Sequence, residues 1–360
     1  MRHSVRPDET MQALVFDGPG RLVLRSIPRP LPGEGEVLVR IHTAAICGSD
    51  LRIVAGTKTR DVRVGHPIGH EGAGTVAAVG AGVREYQPGE AVAVCVVESC
   101  GRCACCLAGR ENLCDGRRTL GYHTDGAFAE YMLIPSHAVA RGNLFKLPAS
   151  VDLAWAPLIE PLACCINGQE EMGLSPDSDS ADASWPESLV IFGAGPIGLM
   201  HLLLARARCG TRLRQVVVVE PRASRREIAL RLGAEETCGP EEFKATERFD
   251  AAIVAVGVPE LASVAVNAVR RCGRVSLFAG FPVKSVATID PNAIHYRQVR
   301  VYGASESRRS DFAAALALAA GGKLDLAALV THRFPLAEHD EAFRLAADGS
   351  ALKVVLDIRP

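Results

Sequence analysis

From residue 11 to about 150 the apolar positions fall in short runs broken by Gly and Pro. EVLVRIHTAAI, GAGTVAAVG and AVAVCVV read as strands, with LPGEGE and QPGE as punctuation between them. Such spacing predicts a compact, mostly β domain. From about 188 the pattern changes. SLVIFGAGPIGLMHLLLARARCG joins a continuous apolar strand to a glycine turn and a helix expected to begin at Leu199. RQVVVVEP is a second buried strand and SRREIALRLGA an amphipathic helix, while FDAAIVAV, GRVSLFAG and VRVYGA supply later strands. Near-continuous Val/Ile strands alternating with helices predict a parallel, doubly wound sheet covered on both faces. After Ala304, SDFAAALALAAGG predicts a helix and ALKVVLDI a strand that returns to the first domain. Between the two regions LSPDSDSADASWPES, residues 174–188, is rich in Ser, Asp and Pro and predicts an exposed, mobile loop.

Composition narrows the function classes. At 360 residues two domains are expected. The 40 basic and 41 acidic residues balance, which argues against a nucleic-acid or polyanion surface. The hydrophobic share is 48%, yet no apolar run approaches the roughly 20 residues needed to cross a bilayer. Residues 1–10 are polar, carry Arg2 and Arg6, and lead into no apolar signal core, so they read as a loose extension or an upstream start. A cytoplasmic protein is expected. Five of the 12 cysteines crowd into Cys100 to Cys114, a pattern that favours reduced thiols and metal binding over disulfides.

Three motifs carry chemistry. The first is Cys100-x2-Cys103-x2-Cys106-x7-Cys114. Four thiolates on a short loop can close a tetrahedral shell around zinc, leaving no open position, so such a site staples a loop and performs no reaction. Cys105 breaks the register, although its neighbour Cys106 leaves a one-residue ambiguity. The second motif is dispersed: Ile46-Cys47-Gly48-Ser49-Asp50, Gly69-His70-Glu71-Gly72 and Glu160-Pro161-Leu162. Singly, each reads as packing, a satisfied polar group or a turn. Together they offer a thiolate, an imidazole and carboxylates, a mix that with water makes an open, catalytic zinc site.

The third motif is Gly193-Ala194-Gly195-Pro196-Ile197-Gly198 at a strand-to-helix turn, with Glu220 ending the next strand. That is the context of a dinucleotide fingerprint. The glycines let the backbone approach a pyrophosphate and the helix N-terminus stabilises its charge. Glu220 would accept from the adenosine ribose hydroxyls and repel a 2′-phosphate, which favours NAD. Arg222, Arg225 and Arg226 would accommodate NADP if Glu220 turned aside, although Arg226 reads more readily as part of a solvated helix face.

In this order and separation, the three motifs resemble the zinc-containing medium-chain dehydrogenase/reductase family over residues 11–358. The CGSD and Glu160-Pro161-Leu162 segments, with the ending THRFPLAE…ALKVV, look most like its sorbitol, threonine and aminocyclitol dehydrogenases. The resemblance implies an α/β protein: a GroES-like, mostly β catalytic domain (1–163, completed by 304–360) with an inserted Rossmann domain (164–303). It implies that Cys47 and His70 ligate the catalytic zinc, and that Glu71 and Glu160 supply the remaining ligand or the partner of its water. Ser49 matches the hydroxyl that passes the substrate proton outward, and Arg225 the side chain that lies against the adenine. The mechanism this implies is a zinc that lowers the pKa of the substrate hydroxyl and a hydride transfer from the carbinol carbon to the nicotinamide, in a cleft expected to exclude water. Relatives often carry a histidine shortly after CGSD; Leu51 and Arg52 stand here instead, which puts the outer proton relay in question. The 174–188 loop is longer than usual.

The expected substrate is therefore a small polar alcohol or ketone. Ser49, Asp50, Arg52, His123, Asp125 and Glu306 suit a polyol, sugar or cyclitol, with threonine as the alternative. Two zinc ions per chain and NAD, with NADP as the second choice, are the expected cofactors. VRVYGA, as the sixth strand of the inserted sheet, would leave an apolar edge; its pairing across a two-fold axis predicts a homodimer or homotetramer. A zinc-free reductase on the same fold is disfavoured by Cys47, His70 and Glu160. A non-catalytic binding protein is disfavoured by the intact ligand and glycine sets, and a nucleic-acid zinc module by the balanced charge.

Overall fold

The computed structural model describes residues 9–174 and 186–358. Residues 1–8 and 175–185, which hold most of the expected N-terminal extension and of the expected mobile loop, lie outside the described residues. The chain divides into two units, Met1–Pro161 with Ser307–Pro360, and Leu162–Glu306.

The first unit is built on antiparallel strands. Its larger sheet runs in the order Leu144–Lys146, Ala91–Val94, Glu71–Val79, Val37–Ala45, Lys353–Asp357 and Val330–Pro335, with Tyr131–Ile134 also paired to Val37–Ala45. Val37–Ala45 is buried along nearly all its length because both its edges are occupied. Its apolar side chains meet those of Leu120, Phe128, Met132 and Phe343 in one core. The register of this strand sets up the chemistry. Ala45 pairs with Glu71 on one side and with Val355 on the other. Cys47, His70 and Lys353 are thereby brought to the same end of the sheet from three distant parts of the chain. The C-terminal strand Lys353–Asp357 thus completes this unit.

The second unit is a six-stranded parallel sheet. In chain order its strands are Ser188–Phe192, Gln215–Val219, Glu236–Cys238, Phe249–Val254, Val269–Leu277 and Arg300–Gly303, and their spatial order is 3-2-1-4-5-6. This is the doubly wound nucleotide-binding order, which reverses between the first and fourth strands and opens a crevice at their carboxyl ends. Leu189, Val217, Ala252 and Val275 are completely buried, as strands covered on both faces require. Arg300–Gly303 forms one edge, with Val301 36% exposed. No helix among the described residues is long and apolar enough to cross a membrane.

Candidate metal centres and nucleotide site

Cys47 follows the central strand and starts the helix Gly48–Val54, where its N–H donates to Asp50 Oδ2 at 2.9 Å. His70 immediately precedes the neighbouring strand Glu71–Val79 and follows Gly69, whose φ of +96° and contact with the Phe128 ring, 2.6 Å from where a Cβ would stand, admit no side chain. The ligand atoms of Cys47, His70 and Glu71 all lie within 4.8 Å of one another, with His70 and Glu71 buried. Glu160, expected beside them, is buried but not a member of that group. Asp50, read from sequence as one of several substrate-facing polar groups, is instead fully buried, with Oδ1 3.2 Å from His70 Nδ1. It fixes the imidazole by its outer nitrogen and leaves Nε2 for a metal, as carboxylates behind metal-binding histidines do. Burial works against a charged His70, but the Asp50 carboxylate against its Nδ1 helps to reverse this, and its pKa is raised well above the ordinary value. The nest favours a cation.

Lys353, which sequence reading passed over inside ALKVV, stands behind Glu71. Its Nζ lies 2.7 Å from Oε1 and 2.5 Å from Oε2, with both side chains buried. Burial opposes the ammonium, yet Glu71, Cys47 and Glu160 hold it above its ordinary value. Glu71 and Glu160 thus set negative charge against Lys353, beside the Cys47 and His70 donors. By charge and donor type, these residues fit an open zinc site.

Beside the cluster, Ser49 Oγ lies 3.4 Å from His70 Nε2 and accepts a hydrogen bond of 2.9 Å from the Tyr122 phenol. Burial pushes the Tyr122 hydroxyl up and keeps it protonated. The Lys58 ammonium sits 4.0 Å above its ring. Nothing in the GYHTDG segment marked Tyr122; only its neighbours His123 and Asp125 looked functional. His123 Nδ1 accepts from the Thr119 N–H at 3.0 Å, and Asp125 lies 3.7 Å from the buried His66. Arg52 is exposed.

The four-cysteine loop is different in kind. Its converging sulfurs are those of Cys100, Cys103, Cys106 and Cys114; Cys105 is not among them. Sγ–Sγ distances are 3.5 Å for Cys103–Cys106 and 4.0 Å for Cys100–Cys106, which bracket the about 3.8 Å edge of a tetrahedron with zinc–sulfur bonds near 2.3 Å. The backbone N–H groups of Arg102 and Cys103 lower the Cys100 thiol to about 6, into the range where the metal-binding thiolate prevails. These four fit a closed zinc site.

In the second unit, the helix after the first strand begins at Pro196, with Gly195 as its N-cap, three residues earlier than expected at Leu199. Proline fits the first helical position because its missing N–H has no partner to lose there. Gly198 therefore lies inside the first turn, where a Cβ would stand 1.9 Å from the Gly193 carbonyl oxygen. A Cβ on Gly195 would meet nothing within 4 Å, so the backbone there is open to a ligand. Open backbone at an uncapped helix N-terminus fits a pyrophosphate. Glu220 is buried at the end of the second strand, its carboxylate accepting from the N–H groups of Ala194 at 2.8 Å and Arg222 at 3.1 Å. Arg226, read as solvated, instead folds back to donate to the carbonyls of Glu220 and Pro221, both at 2.8 Å. Arg225 is half-buried, and desolvation lowers its pKa against the pull of Glu220.

Comparison with known proteins shows the family and the fold. Residues 33–147 match the alcohol dehydrogenase GroES-like domain, and residues 196–321 match the zinc-binding dehydrogenase domain. The L-threonine 3-dehydrogenase of Pyrococcus horikoshii is 32% identical over 98% of this chain and 99% of its own. A zinc-binding dehydrogenase of Sinorhizobium meliloti 1021, solved bound to NADP, is 28% identical with a TM-score of 0.86, covering 97% of this chain and 99% of that one. An alcohol dehydrogenase from E. coli CFT073, solved with NADH, is 26% identical with a TM-score of 0.85, over 97% of this chain and 100% of that one.

Proposed function

The chain belongs to the zinc-containing medium-chain dehydrogenase/reductase family, and from that membership we propose that it oxidises a secondary alcohol of a polyol, sugar or (amino)cyclitol to the ketone with NAD. It is a zinc-dependent, nicotinamide-linked alcohol dehydrogenase acting on a small molecule. The observation that carries the site assignment is the buried Cys47, His70 and Glu71 cluster with the Ser49 hydroxyl 3.4 Å from His70 Nε2. When bound there, zinc supplies the Lewis acidity that makes an alcohol hydroxyl acidic near neutral pH. Asp50 would orient His70, Lys353 would hold Glu71, and Ser49 would pass the substrate proton outward, accepting it as it releases its own. Gly193, Gly195, Pro196, Ile197 and Gly198 cradle the cofactor pyrophosphate, with Glu220 on the ribose side and Arg225 beside the adenine. Cys100, Cys103, Cys106 and Cys114 hold a second zinc that only staples their loop.

L-threonine is the second reading. It is favoured by the threonine dehydrogenase relative and by Lys58, an ammonium near Tyr122 that suits a carboxylate-bearing substrate. Following NAD reduction across polyols, cyclitols and L-threonine separates the two. The first reading expects the highest kcat/KM with a polyol or cyclitol, and a clear lead for L-threonine would overturn it. The free cysteines suit a reducing cytoplasm. The exposed edge strand Arg300–Gly303 suits pairing with a second copy, giving a dimer or tetramer. Light scattering at micromolar concentration checks this: a fully active monomer contradicts it, and Val301→Lys should disperse the oligomer.

A further inference from the structure

Ser49 has one hydrogen to give, and its usefulness depends on where that hydrogen points. Tyr122 settles the direction. The phenol donates to Ser49 Oγ at 2.9 Å, so the Ser49 hydrogen is turned away from the tyrosine, toward the side where His70 Nε2 lies 3.4 Å off. The tyrosine is itself clamped. Its N–H donates to the Thr119 carbonyl at 3.1 Å, and its own carbonyl accepts from the Arg63 N–H at 3.0 Å. One side of the ring meets the His70 imidazole at a centroid distance of 5.1 Å, and the Lys58 ammonium lies 4.0 Å from its centroid. The ring is 6% exposed, so no solvent molecule competes freely for the phenolic hydrogen. A hydroxyl held this firmly makes its only described side-chain hydrogen bond to Ser49.

We propose that Tyr122 is a positioning residue for the dehydrogenase reaction, aiming the Ser49 hydroxyl at the substrate oxygen. The inference rests on the reading of Ser49 given above.

Two measurements on the zinc-loaded full chain test it. In the first, tyrosine is labelled with carbon-13 at Cζ, whose shift reports the phenol's hydrogen bond. The chain has five tyrosines, and the Tyr122 signal is the one lost in Tyr122→Phe. That signal should move in Ser49→Ala; if it stays in place, the contact does not exist in solution and the proposal falls, whatever the enzyme's substrate. The second uses the best alcohol from the NAD-reduction screen. Tyr122→Phe keeps the ring and should lower kcat roughly tenfold with KM within about twofold, the loss expected for one hydrogen bond. In a Ser49→Ala background it should cost nothing further. An equal loss in both backgrounds, or a loss confined to KM, would mean that Tyr122 does not act through Ser49. Should the screen find no alcohol at all, the functional reading fails, while the carbon shift still decides the Ser49–Tyr122 contact. If Tyr122→Phe does not fold, the moving signal is assigned by elimination, using Phe variants of the other tyrosines.

Discussion

The two cysteine-bearing clusters of the first unit gather potential metal ligands by opposite routes. The loop site draws all four sulfurs from Cys100 to Cys114, keeps Cys100 exposed, and prepares its thiols by backbone N–H donors, which bring Cys100 to about 6. The other site draws on Cys47, His70, Glu71 and Lys353, meeting only because strand register brings Ala45 beside Glu71 and Val355. Nearly everything in it is buried, so its charges are balanced by tertiary partners: Asp50 for His70 and Lys353 for Glu71. Burial alone has the reverse effect on a thiol, as Cys95 illustrates, where it pushes the group up to about 12. A local site depends on its own backbone. A dispersed site depends on the whole fold.

The largest expected effect follows directly. Cys47→Ala should abolish turnover while the protein keeps its melting temperature within a few degrees. Cys103→Ala should instead cost on the order of several kcal/mol of stability, because binding to a closed zinc site contributes folding energy. Parallel assays of NAD reduction and thermal unfolding check the contrast, and a similar response from both variants would erase it.

Next comes Lys353. Lys353→Met leaves the Glu71 carboxylate buried without its ammonium, which should cost about 3–5 kcal/mol. Adding Glu71→Gln should restore part of that. Chemical denaturation of the three variants reads the effect, and a mild cost for Lys353→Met alone would mean that the pair is not a structural support.

A buried imidazole outside both sites sharpens the comparison. His201 is completely buried in the glycine-turn helix, against Phe278, and neither ring nitrogen has a hydrogen-bond partner among the described residues. Burial lowers its pKa to about 3. The unfolded chain, titrating near 6.5, therefore binds the proton that the folded chain refuses, and stability falls as pH drops below about 6.5. At pH 4 the loss should be on the order of a few kcal/mol, and His201→Leu should flatten that slope. Unfolding curves between pH 7 and pH 4 decide; parallel slopes in the two proteins would contradict it.

The smallest effect belongs to Glu220. Glu220→Ser removes the acid on the ribose side and leaves Arg222 and Arg225, so relative use of NADP should improve roughly tenfold, about 1.4 kcal/mol. Ratios of kcat/KM for the two cofactors measure it, and a wild-type preference for NADP would reverse the reading.

What could be read from sequence follows the same division between local and dispersed. The four-cysteine loop and the glycine turn were legible because their spacing is their geometry. The sheet classes were legible because burial on both faces leaves continuous Val/Ile runs. The helix start at Pro196 was misplaced because the fingerprint's last glycine looks like part of the turn, when it lies in the first helical turn. Asp50, Lys353 and Tyr122 escaped or were misassigned because each acts across a tertiary contact: Lys353 meets a residue 282 positions away, and Tyr122 one 73 away. Arg226 escaped because a solvated arginine and one that wraps carbonyls of the preceding turn have the same sequence.

The central claim is that this chain holds two zinc ions by different means, one closed and one open. Its most direct test is metal content per chain followed against time in a chelator, alongside NAD-dependent alcohol oxidation. The account predicts two zincs at the start, loss of one in step with activity, and retention of the other until the protein unfolds. Simultaneous loss of both, or activity that survives removal of the exchangeable ion, would contradict it.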